Sequence, residues 1–545
     1  MLKFWATAFC FFATVAAASA AQCPNIPAAP RTISDSAESY TRSPGFSLNE
    51  EGLIQFDYGG SYNGLGKWVN PFFVSNYALA LYRDWLNSGC EDEDLLSKFT
   101  VQALWLANNA TMREGVAIWP YPFENPVFEL ESGWVSGIGQ SRIASVLIRA
   151  DAILEHNDDL SAIADAAMLA YERPVIHGGV VTNEGNVTWI EEMVDPNGRS
   201  FKVLNGHITG LASILDFYQI TRDEKWRQLF DRAVLAVDRD IDKYDAGFSS
   251  YYSQLMPGNP RPIAPLEDYN PLHVSQLLWL YDLAPMPRFL EYASRFHAYE
   301  TNSDQFTAKG SIDPVFHGPD DVRAIYGNNY WSHGEFPTWL EISFVGADLI
   351  RGVALDFNTE RDRPTEVSVS TRLGEVWTEQ RKGIVPTTRN LDIIFDSPVE
   401  AQAVRIEFAG HSGAGLVAIR AAMALREQPK FAPVVNECNH RPVTPAEAPL
   451  RATPDAAFDG NTATAMRLLC DGWIFFPAES ARGFTALFDG PTPEGVWAEA
   501  SDDFAAWEPV EVTVVGDTAR GTSDRKYVRL HFPKSNVRLA EIERH

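Results

Sequence analysis

Between residues 70 and 300, apolar side chains recur at helical spacing, as at Leu211, Ile214, Leu215 and Tyr218. The pattern predicts helices in pairs: 71–86 with 92–109, 134–156 with 160–172, 206–219 with 222–240, and 271–282 with 286–299. Four consecutive antiparallel hairpins suggest a closed α/α toroid rather than a simple bundle. Asn70-Pro71, Asn205-Gly206 and Asn270-Pro271 each place an Asn at the head of the first helix of a hairpin, where it reads as an N-cap. The long irregular segments 110–132, 173–204 and 241–269 precede first helices and so crowd the same rim. A ring of helix N-termini there makes an anion-attracting mouth.

Beyond residue 305 the period changes to two. Trp339-Leu340-Glu341-Ile342-Ser343-Phe344 and Glu366-Val367-Ser368-Val369-Ser370 alternate in polarity, as strands with one buried face do. A Pro-rich link (Pro429, Pro433, Pro442, Pro445, Pro449) separates two such units. The expected organisation is therefore multidomain, α then β. It comprises a toroid over 21–305 and β-sandwiches over 306–428 and 429–545.

The first twenty residues change the compartment. Met1-Leu2-Lys3, the apolar run to Ala17 and Ala18-Ser19-Ala20 read as a cleavable signal peptide. The expected location is secreted or periplasmic, without a membrane anchor. Cys23, Cys90, Cys438 and Cys470 then remain, an even number that suits two local disulfides, Cys23–Cys90 and Cys438–Cys470. No CxxC pair supports a four-cysteine zinc site. The formal charge of −27 argues against a nucleic-acid partner, which needs clustered cations.

The chemistry concentrates in 189–276. This stretch holds Trp189-Ile190-Glu191-Glu192, Leu204-Asn205-Gly206, Tyr244-Asp245-Ala246-Gly247, Tyr251-Tyr252 and Asp268-Tyr269-Asn270-Pro271-Leu272-His273 running on to Gln276-Leu277. Gly133-Trp134 through Gln140 and Asn70-Pro71 through Tyr77 precede it. In this order, over roughly residues 50–300, the set resembles the C-terminal catalytic domain of the D-glucuronyl C5-epimerases, which convert glucuronate to iduronate in heparosan-type chains. The resemblance implies an α/α-barrel and metal-free catalysis without a cofactor, and it makes an acidic, uronate-containing polysaccharide the partner. Position by position it implies Glu192, Tyr252 and Tyr269 as catalytic groups. Asn205, His273, Arg261, Tyr244, Gln140 and Trp134 are the expected substrate contacts. Two departures stand out: Met193 occupies the place of a family tyrosine, and Leu255 that of an arginine expected to grip the uronate carboxylate, with Arg261 the nearest substitute. The two β units resemble discoidin-like (F5/8 type C) sandwiches, through 339–344, 366–377 and 403–408 in the first and 457–464, 500–510 and 527–532 in the second. Glycan binding and a purely bracing role both fit such modules.

Inverting C5 of a uronate needs a base on one face, an acid on the other and a cation that lets the carboxylate stabilise the carbanion. Tyrosine serves as base only where positive charge or hydrogen bonds lower its pKa. His273, four residues after Tyr269, is expected on the same helical face. Plainer roles stand beside these: rim aromatics for the tyrosines, a solvated loop carboxylate for Glu192, a buried hydrogen-bonded ring for His273. The run from Trp119 to Phe123 reads either as a sugar-stacking platform or as a packed loop. Two other functions remain open: a polysaccharide lyase using Tyr269 with His273, and a glycan-binding protein without activity. A homodimer is also left open. Local cations near the rim (Arg142, Arg199, Lys202, Arg261) would reconcile the acidic chain with a polyanion.

Overall fold

The computed structural model describes residues 23–29, 36–59, 64–154, 158–255, 262–266, 268–301, 304–309, 318–319, 330–413, 415–437, 454–478, 483–533 and 536–545. The expected signal peptide, Cys438 and Arg261 lie outside the described residues.

After a short helix α1 (Ala37–Arg42), four hairpins follow: α2 (Pro71–Asn87) with α3 (Glu93–Asn108), α4 (Gly137–Ile153) with α5 (Asp158–Met168), α6 (Leu204–Thr221) with α7 (Glu224–Asp240), and α8 (Tyr269–Leu283) with α9 (Pro287–Thr301). The first helices pack on one another in the order α2, α4, α6, α8, each backed by its own partner. Burial separates the two layers. In α6 nearly every residue from Leu204 to Phe217 is buried, as expected of an inner helix. In α7 only a stripe is buried, through Trp226, Leu229, Phe230, Ala233, Val234 and Val237. Contact between α8 and α2 is not among the principal packed pairs of the described residues. A buried ion pair joins α4 to α6, Arg149 meeting both carboxylate oxygens of Asp216 at 2.9 and 2.8 Å. The disulfide Cys23–Cys90 ties the N-terminal segment to the turn after α2.

The Asn caps need correction at two of three places. Asn70 caps α2, accepting from the Phe72 and Phe73 amides. Helix α6, however, begins at Leu204 after Val203, and α8 begins at Tyr269 after Asp268. Asn205 and Asn270 therefore lie inside the first turn. Asn270 instead accepts from Ser250 N at 2.9 Å and donates to Phe296 O at 2.9 Å, tying the chain before α8 to α9. A buried tertiary partner outcompeted the local cap.

The β region begins with a seven-stranded antiparallel sheet drawn from Gln305–Ala308, Trp331–His333, Thr338–Phe357, Val367–Leu373, Val376–Ile384, Asn390–Phe408 and Val417–Arg426. Its two longest strands shift register between Ser343 and Asp348 and again near Gly352. These breaks let one sheet curl around Leu340, Ile342, Val353, Ile406 and Phe408. The second unit is a sandwich of two five-stranded sheets. Along Tyr527–Phe532, Val528, Leu530 and Phe532 enter its core. On the alternate face Arg529 reaches Tyr281 of α8 at 2.7 Å, and Trp473, Phe475 and Phe504 of this unit join the helical core. Cys470 is disulfide-bonded, while its expected partner Cys438 is outside the described residues. Among the described residues no helix is long and apolar enough to cross a membrane.

Candidate active site

Strand Val187–Ile190 is buried throughout and delivers two adjacent carboxylates to different surroundings. Glu191 is fully buried and satisfied. Its Oε1 accepts from Thr182 at 2.8 Å and from Ser200, and its Oε2 accepts from the amides of Phe201 and Lys202 at 3.0 and 3.1 Å. It holds the loop before α6 in place. Glu192 enters a cleft, where its Oε2 is buried without a hydrogen-bond partner. Desolvation alone pushes its pKa up to about 7. The Gly of Leu204-Asn205-Gly206 makes this possible, since a Cβ on Gly206 would stand 2.1 Å from Glu192 Oε2.

Two tyrosines meet at the same cleft. Tyr252 is positioned by its backbone, its N donating to Pro262 O at 2.7 Å and its O accepting from Leu204 N at 3.1 Å. Its ring lies edge-on to that of Tyr269, centroids 4.9 Å apart at 80°. Tyr269 is the first residue of α8. Opposite this pair in sequence, Tyr121 stacks on Trp134 at 3.9 Å, and both line the cleft with Tyr58 and Phe123. Asn70 links that wall to the start of α2, donating to Tyr58 Oη at 2.7 Å and accepting from Tyr121 Oη at 3.1 Å. Burial raises the Tyr121 pKa, so its hydroxyl stays protonated.

The cleft has a volume of about 540 Å³ and draws on the N-terminal turns of all four inner helices: Phe73 and Asn76 of α2, Ile138 and Arg142 of α4, Asn205 and Thr209 of α6, Tyr269, Leu272 and Gln276 of α8. Besides Glu192, three of its side chains hold buried oxygens without hydrogen-bond partners: Asn76 Oδ1, Asn205 Oδ1 and Gln276 Oε1. Buried acceptors of this kind suit a ligand rich in hydroxyl groups. Arg142 is the one Lys or Arg among the described residues lining the cleft. Burial lowers its pKa to about 10, which leaves it charged at neutral pH. Among the described residues no group of three His, Cys, Asp or Glu side chains is placed to hold a metal ion.

Of the residues expected to form the site, Glu192, Tyr252, Tyr269, Asn205 and Trp134 line the cleft. Three do not, and each has a structural role instead. Gln140 donates to Ala117 O at 2.7 Å, and Tyr244 donates to Lys202 O at 2.6 Å. His273 is buried against Ser250 Oγ at 2.7 Å, and desolvation lowers its pKa to about 3, keeping it neutral. The cleft face of α8 runs through positions 269, 272 and 276, so the side chain at 273 turns toward the 250 loop. Arg261 lies outside the described residues, and Leu255 does not line the cleft. Of the proposed rim cations, Arg199 is paired with Asp195 and Glu129, and Lys202 with Glu184. Met193, in the place of the family tyrosine, does line the cleft. The run 119–123 divides: Trp119 is core, its indole bonded to Leu106 O at 2.8 Å, while Tyr121 and Phe123 face the cleft. Sequence reasoning did not single out Tyr58, Asn76 or Gln276 as contacts, although Asn76 and Gln276 lie inside the stretches 70–77 and 268–277 that carry the resemblance.

Residues 113–298 match the family described as D-glucuronyl C5-epimerase C-terminus. An uncharacterised protein of Methanocaldococcus jannaschii is 28% identical over 183 residues, covering 33% of this chain and 56% of the relative. The chain thus spans little more than half the length of that curated relative. Among solved structures, the family 32 carbohydrate-binding module of Clostridium perfringens NanJ, in complex with galactose, shows 20% identity over 23% of this chain and 92% of its own, with a TM-score of 0.19. The paired modules of C. perfringens ZmpB show 11% identity over 44% and 91%, with a TM-score of 0.20.

Proposed function

We propose that the helical region is a uronate C5-epimerase acting on a polysaccharide, with Glu192, Tyr252 and Tyr269 as proton carriers and Arg142 as the counter-ion of the substrate carboxylate. The observation that supports this most is the convergence of the three proton-active groups with one buried arginine at the N-termini of four helices. The base takes the C5 proton, the electron pair delocalises into the adjacent carboxylate as an enolate-like species, and the acid returns a proton to the opposite face of C5. Arg142 and the helix N-termini favour the charge that accumulates on the carboxylate. A carboxyl group with a pKa near 7 can give and take a proton at neutral pH. The tyrosines come from separate segments of the chain, the 252 segment and the head of α8. Arg142 takes the part that the family assigns to an arginine near position 255.

Asn76, Asn205 and Gln276 supply acceptors for sugar hydroxyls, and the Tyr121–Trp134 stack supplies an apolar face for a pyranose ring. An adjoining cavity of about 880 Å³ shares Trp134 and is lined also by Arg113, Arg173 and His177, which gives a longer chain room to continue. The lyase alternative leaned on His273, which is buried beside Ser250 and away from the cleft. Glucuronate in a heparosan-like polymer is the substrate proposed, and the β modules are proposed to keep the enzyme on its glycan. Incubation with a panel of uronate polymers in heavy water, followed by NMR of the ring protons, tests the reading. Deuterium at C5 without chain cleavage is expected. An ultraviolet-absorbing unsaturated product would mean a lyase, and no exchange with any polymer would sink the proposal.

A further inference from the structure

The segment that carries Tyr252 has two faces. Tyr252 lines the cleft, whereas Tyr251 and Gln254 line a separate cavity of about 690 Å³ between the helices and the curled sheet. The sheet grips the rear of this segment. Arg426, at the end of strand Val417–Arg426, donates through Nη1 to Gly247 O at 2.7 Å. Its other donors are fixed from behind, Nη2 on Asp304 at 2.5 Å and Nε on Asp348 at 3.0 Å, with Lys430 on Asp348 at 2.9 Å. Three residues back along the same strand, Tyr251 donates to Met423 Sδ at 3.8 Å. From the opposite side α9 holds Asp245, through Arg295 at 2.6 Å and Tyr299 Oη at 2.8 Å. Gly247 itself adopts φ +82°, a left-handed turn that glycine accepts readily.

We infer that the curled sheet is part of the catalytic scaffold and that Arg426 is a positioning residue for Tyr252. The planar guanidinium uses all three of its directions, two on carboxylates of its own side and one on the Gly247 carbonyl. It thereby fixes the origin of the turn that leads, five residues on, to the Tyr252 ring. Met423 sets the depth of Tyr251, and the next residue in an extended segment faces the other way, into the cleft. The inference deepens the epimerase reading and relies on it for its activity readout, so a second readout is chosen that does not.

The full-length chain is compared with Arg426→Gln, Arg426→Lys, the charge-compensated pair Arg426→Gln with Asp348→Asn, and Met423→Ala, which leaves every ion pair intact. In solvent-exchange kinetics Arg426→Gln and Met423→Ala are expected to lower kcat about tenfold or more while KM stays within about twofold. The alkaline limb of the pH profile should move, and Arg426→Lys should recover part of the loss. Independently, fluorine NMR of protein labelled with 3-fluorotyrosine follows Tyr252, its resonance assigned by Tyr252→Phe. That resonance should shift or broaden in Met423→Ala and in the charge-compensated pair, while that of Tyr40 stays put. An unmoved Tyr252 resonance in folded variants overturns the inference. A loss expressed in KM alone overturns it too. If the unmodified protein exchanges no proton on any polymer, the epimerase reading fails, and the fluorine spectra still decide the coupling.

Discussion

Gly206 and Glu192 occupy one space: the first residue lacks the carbon that would meet the second residue's Oε2 at 2.1 Å. A Gly206→Ala substitution therefore must move either the carboxylate or the head of α6. Overpacking of this kind costs about 1–3 kcal/mol. The expected result is a lower thermal midpoint together with a loss of C5 exchange larger than the stability change explains. Calorimetry and deuterium incorporation on the same sample check it, and unchanged exchange would contradict the assigned place of Glu192.

Glu192 predicts a pH dependence of stability. Its pKa rises on folding from 4.5 to about 7, so the folded chain holds a proton that the unfolded chain releases. Stability from this group is then intact below about pH 4.5, declines through the interval and stays reduced above about pH 7, by about 3 kcal/mol. Glu192→Gln should abolish exchange yet melt higher than the parent at pH 8, with the two converging near pH 4.5. Equal midpoints at pH 8 would show that the carboxylate is not desolvated.

Tyr252→Phe and Tyr269→Phe each remove one hydroxyl and keep the ring pair. Both should fold normally and lose about 10²- to 10⁴-fold in exchange rate, the usual range for a lost acid or base. Tyr244→Phe, which alters a tie to Lys202 O outside the cleft, should change stability more than turnover. Single-turnover measurement of deuterium at C5 separates these variants.

Arg142 is the proposed clamp on the substrate carboxylate. Arg142→Gln should raise KM for a uronate polymer about tenfold or more, equivalent to about 1.4 kcal/mol. Its thermal midpoint is measured alongside because the side chain is buried. A variant with KM and kcat both unchanged would place the carboxylate elsewhere.

The chain carries a formal charge of −27, and its cleft is lined by one described cation. Long-range repulsion should slow the approach of a polyanion at low ionic strength and fade as salt screens it. Activity is therefore expected to rise with moderate salt before it falls. A steady decline from the lowest salt upward would contradict this.

Much of the scaffold was readable because it rests on local periodicity. The eight helices of the hairpins fall within a few residues of the spans that apolar spacing predicts, and the change to period two at 305 marks the start of the large sheets. The pair Cys23–Cys90 formed as expected from proximity along the chain. The site was legible only in part. Glu192, Tyr252, Tyr269, Asn205 and Trp134 come together in one cleft, but nothing local could tell that His273, Tyr244 and Gln140 are spent on backbone and side-chain partners. Asn205 and Asn270 look like caps because capping is a local rule, and only packing shows that their helices begin earlier.

Hydrophobic period and turn residues are written along the chain, since each acts between neighbours a few positions apart. The sequence by itself therefore determined the α-then-β order and the hairpins, whereas the need for a glycine at 206 follows from the approach of Glu192. Which of two adjacent glutamates is satisfied and which is desolvated depends on groups brought in from Thr182, Ser200 and the 201–202 backbone. That Arg142 is the described cation in the cleft, and that the curled sheet holds the turn before Tyr252, depend on contacts between segments far apart in the chain. Burial and pairing are properties of the assembled neighbourhood, so only the tertiary structure could decide them.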